Sequence, residues 1–159
     1  MSVFEGADFF AFATRFVEAI PHVKELGISV VTAAPGTAVI KLPYREDLIG
    51  NPDTGVLHGG VITTLIDTVC GFAAFSDVGD GFALATLDLR IDYLKPATPK
   101  LDLLAEGHTY KKTKNIVFVR ATAYHSDPQD PIANCVCTFM RGTKGVEFVN
   151  AASKKNARS

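Results

Sequence analysis

Apolar positions in the first part of the chain predict a helix followed by two strands. From Ala7 to Ile20 they recur at helical spacing, and Pro21 should end that helix because proline cannot continue its hydrogen-bond ladder. Two apolar runs, Ile28–Thr32 and Thr37–Leu42, predict strands joined by a turn. The segment Pro43–Gly55 is rich in Pro, Gly, Asp and Asn, and we expect an irregular loop there.

The most apolar stretch of the chain, Val61–Phe75, predicts a buried helix because it is too long for an ordinary strand. Four further strands are expected after it: Leu84–Leu94, Leu101–Lys111, Asn115–His125 and Ile132–Arg141. The order α-β-β-α-β-β-β-β predicts an α+β fold in which an antiparallel sheet wraps around one long central helix.

Length and charge limit the possible functions. The 159 residues suffice for one domain, expected over residues 1–150, with a disordered tail at 151–159. A net charge of −1 argues against a nucleic-acid-binding protein. Charged residues make up 21% of the chain, below the usual share of roughly 25%. We therefore expect surplus apolar surface to be buried in an oligomer.

Cysteine and histidine spacing predicts neither a disulfide framework nor a metal centre. The chain has 3 Cys and lacks a C-x-x-C pair, and Cys135 and Cys137 share a strand face where core thiols are expected. His22, His108 and His125 form no H-E-x-x-H motif and are expected at the surface. No signal peptide or membrane-spanning run is recognisable, which favours a cytoplasmic protein. We expect no cofactor.

The central helix carries one acidic residue, Asp67, in an apolar setting. Asp67 shares a stripe of small or polar residues with Thr63, Thr64 and Gly71, and such a stripe allows another backbone to approach closely. An unpaired carboxylate is costly in this setting. Asp67 therefore either bonds Thr63 or Thr64, faces water, or has a chemical role.

The segment that leads into this helix contains His58, Gly59 and Gly60. Free N–H groups at a helix start favour negative charge, including that of a developing oxyanion. Gly59 and Asp67 are eight residues apart, about 12 Å along a helix, so they cannot act on one carbonyl within a chain. Two antiparallel helices across a two-fold axis would bring Gly59 of one subunit to Asp67 of the other.

The chain resembles the hotdog-fold acyl-CoA thioesterases, specifically the phenylacetate-degradation (PaaI-like) group. The resemblance covers roughly residues 8 to 142. It is carried by His58-Gly59-Gly60, Thr64-Leu65-Ile66-Asp67, the segment Leu87–Ala97 and the segment Pro21–Ile28.

This resemblance implies hydrolysis of an acyl-CoA thioester by a dimer or by a tetramer built from dimers. Asp67 would be the nucleophile or the general base, and the Gly59 amide would polarise the thioester carbonyl from the opposite subunit. Asn51 matches the loop residue that contacts the carbonyl or the water, and Thr86 matches the residue that assists the acid. His58 is either a base or a residue that orders the loop through its backbone bonds.

Two features depart from the family pattern. The loop between Asn51 and His58 is about one residue longer than expected. Strict alternation also places Thr86 opposite Leu87, Leu89, Ile91 and Tyr93, on the face away from the core. A role for Thr86 therefore requires a β-bulge or a site at a subunit interface.

The phosphates of CoA require cations, and the densest basic cluster in the folded part surrounds one predicted turn. It comprises Lys112, Thr113, Lys114 and Asn115, together with Lys111. Arg90 and Lys95 are further candidates. The alternative is that these lysines are ordinary solvated surface residues.

Other functions stay open. A hotdog module that binds acyl-CoA without catalysis is the main alternative, although it would gain nothing from a desolvated Asp67. A hotdog dehydratase or hydratase ranks last because the chain lacks a His-Phe-Pro segment and an Asp-x4-His dyad. A serine hydrolase is disfavoured because no G-x-S-x-G motif occurs.

Overall fold

The computed structural model describes residues 8–79, 81 and 83–142. The helices in these ranges are α1 (Phe9–Ala19), α2 (Pro21–Glu25) and α3 (Gly59–Val78), with a 3-10 turn at Glu46–Leu48. The strands are β1 (Ser29–Ala34), β2 (Thr37–Leu42), β3 (Ile49–Asn51), β4 (Val56–Leu57), β5 (Ala85–Tyr93), β6 (Leu103–Lys112), β7 (Ile116–Tyr124) and β8 (Ala133–Met140). The predicted tail, 151–159, and the last part of the predicted domain, 143–150, lie outside the described residues.

Six strands form one antiparallel sheet in the order β1-β2-β6-β7-β8-β5. The long helix α3 packs on this sheet, mainly against β2, β6 and β7. The predicted α+β architecture, an antiparallel sheet around a long central helix, is confirmed. Strand β5 lies at an edge of the sheet, so one side of its backbone is unpaired in the single chain.

The core lies between α3 and the sheet. The side chains of Leu65, Ile66 and Val69 are fully buried there. Gly107 of β6 allows the close approach, because a Cβ at that position would lie 3.0 Å from the Val69 carbonyl oxygen. By length and composition alone α3 could span a membrane, but 67% of its most apolar stretch is buried inside the fold.

Helix α1 covers one side of α3. The Asp8 carboxylate caps its start by accepting the backbone N–H groups of Phe10 and Ala11 at 3.0 and 3.1 Å. Its aromatic rings pack against those of α3 with centroids 5.5 to 5.9 Å apart, in the pairs formed by Phe12 and Phe16 with Phe72 and Phe75. These contacts join α1 to the C-terminal half of α3.

Two local features differ from the sequence-based expectation. Pro21 follows the end of α1 but also opens α2, since a proline needs no N–H partner in a first helical turn. The segment expected to be irregular, Pro43–Gly55, contains the 3-10 turn and β3, which pairs with β4 directly after the segment. Both elements are short, and their sequences show too little periodicity to indicate them.

Candidate active site

Asp67 lies near the middle of α3 with a half-buried side chain. Its Oδ1 accepts a hydrogen bond from the hydroxyl of Thr86 at 3.1 Å. The hydroxyls of Thr63 and Thr64 instead donate to backbone carbonyls one turn earlier in the helix. Asp67 is therefore held between the central helix and the edge strand.

Thr86 can reach Asp67 because β5 contains a β-bulge. The register against β8 shifts immediately after Thr86, and Leu87 has no partner of its own. The extra residue changes the phase of the strand, so Thr86 lies on the same side as Leu89 and both line the cavity at Asp67. The strict alternation assumed from the sequence is wrong at this point.

A cavity of about 490 Å³ opens at Asp67 and Thr86. Its walls are mainly apolar: Phe16, Ile20, Val23, Phe75, Leu84, Leu89 and Phe139. His22 of α2 also lines it, and its Nε2 lies 3.3 Å from the Thr64 hydroxyl oxygen. His22 is exposed, as expected, but nothing in the sequence indicated that it borders this cavity. The cavity is therefore mainly apolar and has one carboxylate, Asp67, in its lining.

Burial raises the pKa of Asp67, because the surrounding apolar groups remove water from the charged form. The hydrogen bond from Thr86 acts in the opposite direction by stabilising the carboxylate, and the Cys135 thiol adds a smaller upward contribution. A carboxylate with a raised pKa holds a proton more readily than an exposed one. This property suits a general base.

His58 forms the N-cap of α3. Its Nδ1 accepts the backbone N–H of Gly60 at 2.9 Å, so the neutral ring carries its proton on Nε2. The N–H of Gly59, the first residue of the helix, has no acceptor in the part of the chain that the structure describes. The structure thus uses His58 to order the helix start and leaves the Gly59 amide unengaged.

Tyr93, the last residue of β5, lies beside this helix start. Its hydroxyl donates to the Gly59 carbonyl at 2.8 Å and lies 2.9 Å from the Thr63 hydroxyl oxygen. Sequence reasoning missed this contact because Tyr93 looks like one more member of an alternating strand. Its side chain ties the end of the edge strand to the first turn of α3.

A second cavity, of about 400 Å³, adjoins Gly59 and Tyr93. Its lining also includes Ile62 and the segment Leu94–Ala97, but not Asp67. Asp67 and Gly59 therefore face different cavities within one chain. This arrangement agrees with their separation of about 12 Å along the helix.

Asn51 lies at the end of β3 and is exposed. Its Oδ1 accepts the backbone N–H of Asp53 at 3.0 Å, and its carbonyl accepts that of Gly55 at 2.9 Å. Asn51 lines neither of the two cavities. In the single chain it orders the turn between β3 and β4.

The predicted phosphate-binding turn joins β6 and β7. Lys112 is paired with the Asp77 carboxylate at 3.0 Å, and the Thr113 hydroxyl bonds within the turn. The carbonyl of Asn115 accepts the backbone N–H of Arg141, whereas Lys114 is exposed. The bond to Asp77 places the turn near the C-terminal end of α3.

The further cations are both paired. Arg90 bonds Asp92 at 3.1 Å, and Lys95 contacts Asp130.

Comparison with known proteins gives a consistent result. The profile of the Thioesterase superfamily matches residues 54–132, which include α3, β5 and the β6–β7 turn but not Asn51. A protein of Halobacterium salinarum classed as an esterase is 37% identical over 110 residues, 67% of this chain and 72% of its own length. The medium/long-chain acyl-CoA thioesterase YigI of Escherichia coli is 27% identical over 148 residues, 80% of this chain and 89% of its own.

Solved structures share the fold. A Pseudomonas aeruginosa protein superposes with a TM-score of 0.76 at 43% identity, covering 84% of this chain and 99% of its own. The PaaI protein of Escherichia coli, from the phenylacetic acid degradation operon, gives a TM-score of 0.72 at 22% identity over 85% of this chain and 96% of its own. The resemblance to hotdog thioesterases drawn from the sequence is confirmed.

Proposed function

Because the chain belongs to the thioesterase superfamily and is a thioester hydrolase, we propose that it hydrolyses acyl-CoA to a free acid and CoA. Asp67 is the residue that acts on the substrate, as a nucleophile or as a general base. The observation that carries this proposal is the half-buried Asp67 carboxylate, held by Thr86 at an otherwise mainly apolar cavity.

Burial raises the pKa of Asp67, and a more basic carboxylate favours the general-base route. Asp67 takes a proton from a water molecule while the oxygen of that water attacks the thioester carbonyl. The C–S bond then breaks. CoA leaves as a thiolate that is protonated afterwards. In the nucleophilic route the carboxylate itself attacks, and water then hydrolyses the acyl-aspartate anhydride. Both routes require an ionised Asp67 and a donor for the oxyanion.

The oxyanion donor in this proposal is the Gly59 amide of a second subunit. Gly59 and Asp67 face different cavities in one chain, so each is half of a site. The edge strand β5 offers a docking surface, because its backbone is unpaired on one side and Leu87 and Leu94 are exposed. Antiparallel docking of two α3 helices would complete two equivalent sites.

The phosphates of CoA would bind at the β6–β7 turn, through Lys112, Thr113, Lys114 and Asn115. Lys114 is exposed and forms no ion pair with the described residues, whereas Asp77 already neutralises part of the charge of Lys112. Asp77 lies ten residues beyond Asp67, about 15 Å along the helix. An extended pantetheine arm can span such a distance.

The proposed reaction is tested by measuring CoA release from aryl-, short-, medium- and long-chain acyl-CoA. Asp67→Asn should lower kcat by about 10²–10⁴-fold, the usual contribution of a general base, while the variant still binds the substrate. Asp127→Asn is the matched control. Asp127 is exposed, and its Oδ1 accepts the N–H of Gln129 at 2.8 Å, which an asparagine can also do.

Near-normal turnover by Asp67→Asn would show that the role assigned to Asp67 is wrong. Tight binding of acyl-CoA by the unaltered protein without turnover would instead favour the non-catalytic module.

The role of the Gly59 amide is tested by Gly59→Pro with Gly59→Ala as its control. Proline is favoured at the first position of a helix and removes the N–H while adding a ring, whereas alanine adds only a Cβ and keeps the N–H. A Cβ at this position would meet the Tyr93 hydroxyl at 3.5 Å, an ordinary contact. Loss of an oxyanion donor typically costs about 10²–10³-fold in kcat.

Mixed dimers distinguish a shared site from a site within one chain. A dimer of one Asp67→Asn chain and one Gly59→Pro chain would hold one intact site if Gly59 and Asp67 come from different subunits. Co-expression with two affinity tags isolates this species, which should recover about half of the normal activity per dimer. No recovery would contradict the shared site.

The β6–β7 turn is tested by Lys114→Ala, assayed with acyl-CoA and with an acyl-N-acetylcysteamine that lacks the nucleotide phosphates. An exposed ion pair is worth about 0.2–1 kcal/mol, so KM for acyl-CoA should rise up to about fivefold while kcat stays constant. The truncated substrate should be unaffected. An equal effect on both substrates would exclude a phosphate contact.

A further inference from the structure

The cysteines of the chain converge at one point of the core. Cys70 lies on α3, and Cys135 and Cys137 lie on the face of β8 that is turned toward it. Their three Sγ atoms all lie within 4.8 Å of one another, and the residues are 0%, 4% and 1% exposed. Sequence spacing does not reveal this cluster because Cys70 is far from the other two in the chain.

We propose that Cys70, Cys135 and Cys137 form a buried binding site for a thiophilic monovalent cation, Cu(I), coordinated by three sulfur atoms. The site is separate from the proposed hydrolytic reaction and does not depend on it. Binding replaces thiol protons, which leave to solvent, and no electron is transferred when the metal is supplied as Cu(I).

The spacing of the thiols fits three-coordinate binding. With a metal–sulfur bond of about 2.3 Å, three sulfur atoms around one ion in a plane are about 4.0 Å apart. Thiols already within 4.8 Å of one another need to close by less than about 1 Å, which small side-chain rotations can supply. The cluster is therefore close to its bound geometry before an ion arrives.

The donor set distinguishes Cu(I) from Zn²⁺. Structural zinc sites use four ligands, and no histidine or carboxylate of the described residues joins the three thiols at this spacing. Thiolate sulfur selects soft ions such as Cu(I), which accepts low coordination numbers.

Charges around the cluster favour a cation. The negative charges of Asp88 and Asp92 act on Cys135, and that of Asp67 acts on Cys137. These carboxylates make the electrostatic potential at the cluster more negative, which favours a bound cation.

The test is an anaerobic titration of the intact protein with Cu(I) against a chromophoric Cu(I) chelator. We expect one Cu(I) per chain to be withheld from the chelator, with a thiolate-to-Cu(I) charge-transfer band and a rise in Tm on loading. X-ray absorption of the loaded protein should count three sulfur neighbours. The same titration with Zn²⁺ should give weaker binding.

Single substitutions Cys70→Ser, Cys135→Ser and Cys137→Ser should each weaken Cu(I) retention at least tenfold, because each removes one of three ligands. Tm without metal serves as the folding check. If a serine variant fails that check, the corresponding alanine variant replaces it.

Three results would overturn the site. The first is that the unaltered protein retains Cu(I) no better than a variant with all three cysteines replaced by serine. The second is that Cys70→Ser retains Cu(I) as well as the unaltered protein does, and the third is that the protein binds Zn²⁺ more tightly than Cu(I). Each would indicate that the thiols only pack the core or bind metal with another geometry.

Discussion

The hydrogen bond from Thr86 to Asp67 leads to a sharp prediction about the pH dependence of hydrolysis. Thr86→Val keeps the branched shape of the side chain but removes the donor 3.1 Å from the carboxylate. The carboxylate then loses stabilisation while its burial remains, so the pKa of Asp67 rises further. Because the proposed reaction needs the ionised form of Asp67, the acid limb of the pH profile should move to higher pH.

The size of the effect follows from the bond that is lost. Hydrogen bonds to charged groups contribute about 1.5–3 kcal/mol, and the lower end applies because Thr86 is exposed on one side in the single chain. About 1.5 kcal/mol corresponds to about tenfold in rate. On the acid limb, where rate follows the ionised fraction of Asp67, Thr86→Val should lose about tenfold in kcat/KM. At higher pH the loss should be smaller.

The assay is kcat/KM against pH for the unaltered protein, Thr86→Val and Thr86→Ser. Serine retains the hydroxyl and should keep the acid limb close to its original position. An equal loss at every pH would mean that Thr86 does not act through the ionisation of Asp67. A valine profile that superimposes on the original would refute the role of this hydrogen bond altogether.

Three further predictions concern stability. The carboxylate of Asp67 destabilises the fold above its raised pKa, so Asp67→Asn should raise Tm at neutral pH. This gain in Tm should vanish as pH falls toward the ordinary aspartate pKa of about 3.9. Calorimetry over that pH range checks the prediction, and a gain independent of pH would contradict it. His58→Ala removes the cap of α3 and should lower the free energy of unfolding, measured in urea, by about 1 kcal/mol. His58→Asn, which can still cap the helix, should keep both stability and turnover. Loss of turnover in both variants would mean that the imidazole acts in the reaction. Gly107→Ala places a Cβ 3.0 Å from the carbonyl oxygen of Val69 and should cost about 1–3 kcal/mol, which an unchanged urea midpoint would exclude.

Much of the fold was predictable because its main signals are local. The apolar run Val61–Phe75 predicted the central helix, and the structure extends it to Gly59–Val78. The extension includes residues whose helical state depends on caps: His58 at the start and Gly79, with a φ of 65°, at the end. The six strands of the main sheet followed from their apolar runs because each run is bounded by polar turns.

The geometry of the site was less predictable because it depends on a single inserted residue. The bulge after Thr86 has no compositional marker. If the bulge is not recognised, the side chains of β5 that precede it are assigned to the wrong face of the sheet. The pairing of Lys112 with Asp77 was missed for a similar reason, since helix and hairpin meet only in the folded chain. Residue types indicated the candidate chemistry, but long-range contacts determine which groups are engaged.

The proposed shared site connects oligomerisation with the chemistry of Asp67. Its carboxylate is only half-buried in one chain, and the cavity beside it is open. Docking of a second subunit at α3 and β5 would remove more water from the cavity. It would also bring the Gly59 amide of that subunit, which stabilises negative charge on the substrate. In the proposed dimer the same contact would shield Asp67 from water and supply the oxyanion donor. Dilution below the dimer dissociation constant should therefore abolish activity rather than halve it.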